Sequence, residues 1–74
     1  MSDTTWTPAA IRSLRRMTGE NAATFGRRFG RSARTIEDWE QGRHRPDALA
    51  CKALTARARR VLTARAKLAA AGSA

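Results

Sequence analysis

The sequence predicts an all-α domain, and three observations predict it. No stretch alternates apolar and polar residues with period two, and runs of Val, Ile, Tyr and Thr are missing. Beyond a short set of large apolar residues, most of the hydrophobic content is alanine, a strong helix former that buries little surface. Apolar residues also recur three and four apart between glycines, prolines and capping side chains. The 74 residues hold one domain. A chain this short buries only about 60% of the surface its unfolded form exposes, so the core must be compact and a second copy would help to stabilise it. The candidate core is Trp6, Ile11, Leu14, Met17, Phe25, Phe29, Ile36, Trp39, Leu49, Leu54, Val61, Leu62 and Leu68.

The elements follow in order. Residues 1–6 form an N-terminal arm, polar from Met1 to Thr5 and expected to be disordered. Thr7-Pro8 starts the first helix, with a hydroxyl cap and then proline at the first helical position. Ile11 and Leu14 share its apolar face with Met17 nearby, and Gly19 ends it. Asn21 caps a second helix running to about Phe29, with Phe25 and Phe29 on the buried stripe. Gly30 stops it. Ser32 caps a third helix carrying Ile36 and Trp39, and Gly42 closes it. Pro46 prevents an early restart, Asp47 caps again, and no Gly or Pro interrupts Ala48 to about Ala70. That last stretch reads equally as one long helix or as two broken near Thr55 to Arg59. Residues 7–58 form the main unit and 59–74 a helical extension that frays from Gly72.

Charge is the strongest compositional signal. Fifteen Lys and Arg face six acids, for a net charge of +9 and a pI near 11.8. Nearly all the cations are Arg, whose planar fork suits phosphate and guanine edges. This is the electrostatic footprint of a nucleic-acid binder; the plainer reading is a solvated surface that keeps an alanine-rich chain soluble. Cys51 and His44 are the only residues of their kinds. No intrachain disulfide forms and no zinc set is available, so no metal or cofactor is expected. No apolar run has signal-peptide or transmembrane length, which suggests a cytoplasmic protein without a membrane partner. No small-molecule ligand is expected either.

The informative segment runs from Asn21 to Gly42. Gly26 lies inside the second helix, where glycine costs up to about 1 kcal/mol relative to alanine. Close approach of the next helix gives a reason for it. Gly30 follows where a tight interhelical turn needs positive φ, and Ile36 and Trp39 fill the wedge. Two short helices meeting at a steep angle result.

The stretch from Phe25 to Pro46, FGRRFGRSARTIEDWEQGRHRP, resembles the lambda-repressor-like (Cro/C1, XRE-type) helix-turn-helix DNA-binding domain. Trp39-Glu40-Gln41-Gly42-Arg43, followed by basic residues and Pro46, is particularly characteristic, and the likeness spans about Ile11 to Leu54. It implies a bundle of four or five helices that binds an operator as a dimer. The third helix would be the recognition helix, presenting Ala33, Arg34, Thr35, Glu37 and Asp38 to bases. Arg34 is the first choice, because a guanidinium pairs with guanine O6 and N7 in two-pronged fashion. Thr35 can meet phosphate or a base, and the Ala33 methyl a thymine methyl. Glu37 or Asp38 can accept from cytosine N4, or orient Arg34 instead, since residues 34 and 38 share a face. Phosphate anchors would come from Arg43, His44 and Arg45 in the loop, from Gln41, and from the free N–H groups that open the second helix at Asn21 and Ala22. Two departures matter: Ala22 and Ala33 stand where family members often carry Gln and a polar residue, which leaves the operator sequence open.

The remaining residues have plainer readings. Trp39 and Phe25 read as core, Glu40 as a partner for a nearby Arg, and Cys51 as a small apolar residue. Arg12, Arg15, Arg16, Arg27 and Arg28 read as solvated faces. In the tail, Leu49 and Leu54 complete the core, while Val61, Leu62 and Leu68 are assigned to contact with a second copy. The leading expectation is therefore a dimeric repressor of transcription on double-stranded DNA, acting at promoters that include its own. The alternative is an antitoxin or adaptor that binds a partner protein through its last helix. RNA is disfavoured by the lack of exposed stacking aromatics, membranes by an apolar face that is mostly alanine. Catalysis is disfavoured because no paired carboxylates or nucleophile–base pair can be assembled.

Overall fold

Each helix begins where a short polar side chain takes up an amide that the helix cannot pair internally. In the computed structural model, which describes residues 6–72, α1 (Pro8–Thr18) follows Thr7, whose Oγ1 accepts the Ala10 N–H at 3.1 Å. Asn21 Oδ1 accepts from Thr24 at 2.8 Å ahead of α2 (Ala22–Arg27), and Ser32 Oγ from Thr35 at 3.2 Å ahead of α3 (Ala33–Gln41). Caps of these three types are worth on the order of 1 kcal/mol each. Asp47 Oδ1 accepts from Ala50 at 2.8 Å ahead of α4 (Ala48–Gly72). Gly72, the expected start of fraying, is the last residue of α4. The expected disorder of residues 1–5 and fraying of 73–74 lie outside the described residues.

Two helix lengths need comment. α2 ends at Arg27, not near Phe29. The N–H groups of Phe29 and Gly30 reach back three residues, to Gly26 and Arg27, and the Arg31 N–H closes on the Gly26 carbonyl at 2.9 Å. The chain tightens into its turn earlier than the Phe25–Phe29 spacing suggested, yet the two rings still meet edge to face at 4.9 Å. α4 is one helix of 25 residues, which decides the alternative left open by the sequence. Leu54 and Val61, on either side of the suspected break, and Ala58 within it all lie in or against the core, so nothing there favours a bend.

The core is Ile11, Leu14, Phe25, Ile36, Trp39, Ala50 and Leu54, with Trp6, Ala22, Phe29, Ala58 and Val61 packed around it. α2 packs on α3, while α1 bridges α3 and α4, giving a compact four-helix all-α bundle. Trp6 lies in this layer, its Nε1–H donating to Thr55 Oγ1 at 3.1 Å. Leu49, expected in the core, is 74% exposed. Ala50 and Leu54, four apart, face inward on α4, and Leu49 is rotated about 100° away from Ala50. Met17 is likewise exposed. No helix among the described residues is long and apolar enough to cross a membrane.

Candidate nucleic-acid interface

The placement of α3 depends on Gly26. A Cβ there would lie 2.7 Å from the Arg31 carbonyl oxygen, 3.0 Å from Ile36 Cγ1 and 3.1 Å from the Ser32 carbonyl oxygen. Any side chain would push the turn and α3 away from α2, so the glycine is what allows their contact. Gly30 reverses the chain at φ 68°, a left-handed conformation that costs other residues roughly 1–2 kcal/mol. Both roles read from the sequence are present.

With Ile36, Trp39 and Glu40 turned inward, α3 presents Arg34, Glu37 and Gln41 outward along one stripe. Arg34 is exposed and has no hydrogen-bond or ion-pair partner among the described residues. Glu37 is exposed and unpaired too. Ala33, Thr35 and Asp38 are half-buried, and Thr35 Oγ1 lies 3.1 Å from Ser32 Oγ. The expected Arg34–Asp38 pairing is not made. Asp38 faces the following loop instead, 3.8 Å from Arg43 Nη1 and 3.9 Å from His44 Nε2. Its carbonyl accepts the N–H groups of the same two residues at 2.9 and 3.4 Å. Asp38 therefore braces the loop at the end of α3.

Arg43, His44 and Arg45 are all exposed on that loop, as is Gln41 before it. At the other end of the segment, Asn21 is exposed with its side-chain oxygen occupied by Thr24, and Ala22 packs against the core. The start of α2 thus offers fewer free amides than its sequence suggested. Cys51 is half-buried, its thiol directed at the Pro46 carbonyl. Among the described residues, no His, Cys, Asp and Glu side chains gather into a set able to hold a metal ion. Of the tail residues assigned to a second copy, Val61 packs against the core, while Leu62 and Leu68 are 56% and 72% exposed.

The acids define which cations remain available. Glu40, only 8% exposed, takes a two-pronged bond from Arg15 at 2.6 and 2.9 Å, and Arg12 donates to its backbone carbonyl at 2.7 Å. The hydrogen bond to Glu40 raises the Arg15 pKa above its ordinary value. Glu20 Oε2 accepts from Arg28 at 2.5 Å and from Arg57 at 3.3 Å. Arg31 bonds Asp47 at 3.1 Å and lies 5.9 Å from the Trp39 ring centre. Arg15 is therefore largely covered and structural, not the solvated residue expected, while Arg12 and Arg28 keep much of their side chains exposed and are paired as well. The partners of Arg15, Arg12 and Arg28 are 25, 28 and 8 positions away, beyond the reach of any local spacing rule. Among the described residues, no side-chain hydrogen bond or ion pair engages Arg16, Arg27, Arg34 or Arg45 in the bundle, nor Lys52, Arg59, Arg60, Arg65 or Lys67 on α4. No family model, curated protein or solved structure matches the chain.

Proposed function

We propose that this chain is a sequence-specific DNA-binding regulator of the lambda-repressor-like helix-turn-helix type, with α3 lying in the major groove. The observation that carries the reading is Arg34: an unpaired guanidinium at the outward start of a helix whose position is fixed by the glycine contact at residue 26. A side chain with five donors and no acceptor in its own fold is suited to the acceptor edge of guanine. Glu37, one turn along the same stripe, is suited to a cytosine amine, and Gln41 and the Arg43–Arg45 loop to the flanking phosphates. Two copies act on a pseudo-palindrome with half-sites about one turn, ~34 Å, apart. Repression follows from occluding a promoter, including the chain's own, in the cytoplasm.

Selection of bound sites from random duplexes at a fixed salt concentration tests this directly, and a two-fold-related motif is the expected result. Arg34→Ala should cost about 1–3 kcal/mol at the selected site and relax preference there, while Arg43→Ala should weaken all sequences alike. If Arg34→Ala binds selected and random duplexes as the parent does, α3 is not the reading helix.

A further inference from the structure

Past the bundle, α4 carries a charge pattern that the fold does not use. From Ala48 onward the chain has Lys52, Arg57, Arg59, Arg60, Arg65 and Lys67 against no acid. Among the described residues, only Arg57 of these has a side-chain partner, Glu20. An ordinary solvated helix interleaves both signs, because opposite charges three or four apart stabilise it and like charges do not. The helix dipole accounts for cations near the C-terminus but not for Lys52, Arg59 and Arg60.

The arrangement is directional. At 100° per residue, Lys52, Arg59, Arg60 and Lys67 fall within about 100° of arc, opposite the face that buries Ala50 and Leu54. They span roughly 22 Å of helix axis. Beyond the bundle, Thr63 and Ala64 lie between Arg59, Arg60 and Lys67 on the open helix surface, so small residues leave room between the cations. A seam with a second copy is poorly served. Val61 is already packed on the core, and the exposed Leu62 and Leu68 lie about 120° apart around the helix. Pairing two such helices would also bring like charges together.

We propose that this outward stripe of α4 is a second duplex-binding element that tracks the sugar–phosphate backbone and adds sequence-independent affinity to the contact made by α3. The inference rests on the reading of α3 as a DNA-binding helix. Acid-free cations with small residues between them suit a regular line of phosphates. A folded acidic protein would be expected to use the exposed leucines as well, and these do not share the stripe.

The test is a salt titration of binding to a random-sequence duplex, comparing the parent chain, Arg34→Ala, and the triple variant Arg59→Gln, Arg60→Gln, Lys67→Gln. Glutamine is a good helix former and the three cations have no side-chain partner among the described residues, so circular dichroism should show unchanged helix. Each phosphate contact contributes about 0.9 to the slope of log affinity against log salt. The triple variant should be shallower by about 2–3, with the motif selected from random duplexes unchanged. Arg34→Ala should lose the motif and keep most of the slope, so the two readings fail separately. A parental slope in the triple variant overturns the proposal. So does polyglutamate of equal charge that binds the parent as tightly as the duplex and is weakened equally by the substitutions, since that outcome marks a protein-facing surface.

Discussion

The two halves of α4 are built from nearly the same residues and end in different surroundings. The first half buries Ala50 and Leu54, packs Ala58 against the core, and ties Arg57 to Glu20. The first half also exposes Leu49, Lys52 and Arg59. The second half, with the same alternation of Ala, Arg and Leu, packs Val61 alone against the core, leaves Leu62 and Leu68 exposed and, among the described residues, ties no cation to a carboxylate. Helix propensity is equal in both. The difference is whether another element, with an apolar face or a carboxylate, lies opposite. α1 supplies the face and the α1–α2 turn supplies Glu20 for the first half. At 1.5 Å per residue the 25-residue helix is ~37 Å long and outruns both. Burial within one helix is thus a property of its neighbours.

The sharpest way to break this comparison is to remove a leucine from each half. Leu54 is fully buried, so Leu54→Ala should cost about 2–5 kcal/mol through lost burial and the cavity left behind. Leu68→Ala should stay within about 0.5 kcal/mol, as exposed substitutions usually do. Urea denaturation of the two variants checks both. Equal losses would mean that the distal half is covered in solution.

A smaller effect, about 3 kcal/mol, is expected from the ionic contacts that bind α1 to α3. Arg15→Ala leaves the Glu40 carboxylate buried without its two-pronged partner, with Arg12 Nε 3.9 Å away as partial compensation. Replacing both partners, Arg15→Met with Glu40→Leu, should recover most of the loss, because an apolar pair removes the uncompensated charge. Arg60→Ala, on the unpaired side of α4, should leave the urea midpoint nearly unchanged. If Arg15→Ala and Arg60→Ala behave alike, the Glu40 clasp contributes little and acid pairing does not distinguish the two classes of arginine.

The sequence carried local features well and distant ones poorly. Thr7, Asn21, Ser32 and Asp47 were legible as caps because each acts on an amide three residues away. Gly26 and Gly30 were legible because a helix-interior glycine and a turn glycine have few other uses. The phase of α4 was not. Leu49 and Leu54 lie on different faces of the helix, and packing against α1, which no local pattern encodes, turns Leu54 inward. The hold on Glu40 joins residues 25 apart, and the turn of Asp38 toward Arg43 and His44 depends on the loop path. Among the candidate site residues, Arg34 is exposed, while the four-residue spacing of Arg34 and Asp38 does not foresee that Asp38 turns to the loop.

The smallest expected effect concerns the junction where the packed half of α4 begins. Asp47 accepts the Ala50 N–H and bonds Arg31, and these two interactions, the first larger, lower its pKa below the ordinary aspartate value. A carboxyl with a lowered folded pKa adds stability that is present above its unfolded pKa and lost as pH falls through the folded one. Asp47→Asn keeps an oxygen able to cap α4 but removes the charge that Arg31 sees. The variant should melt slightly below the parent at neutral pH, and the two melting curves should converge as the solution is acidified through the carboxylate range. High salt should narrow the neutral-pH gap, because the pair with Arg31 is largely exposed. A gap that persists undiminished at the lowest pH would show that the carboxylate charge is not what Asp47 contributes. The start of α4 would then be held by the cap oxygen, and the contrast between its two halves would come from packing without help from this ion pair.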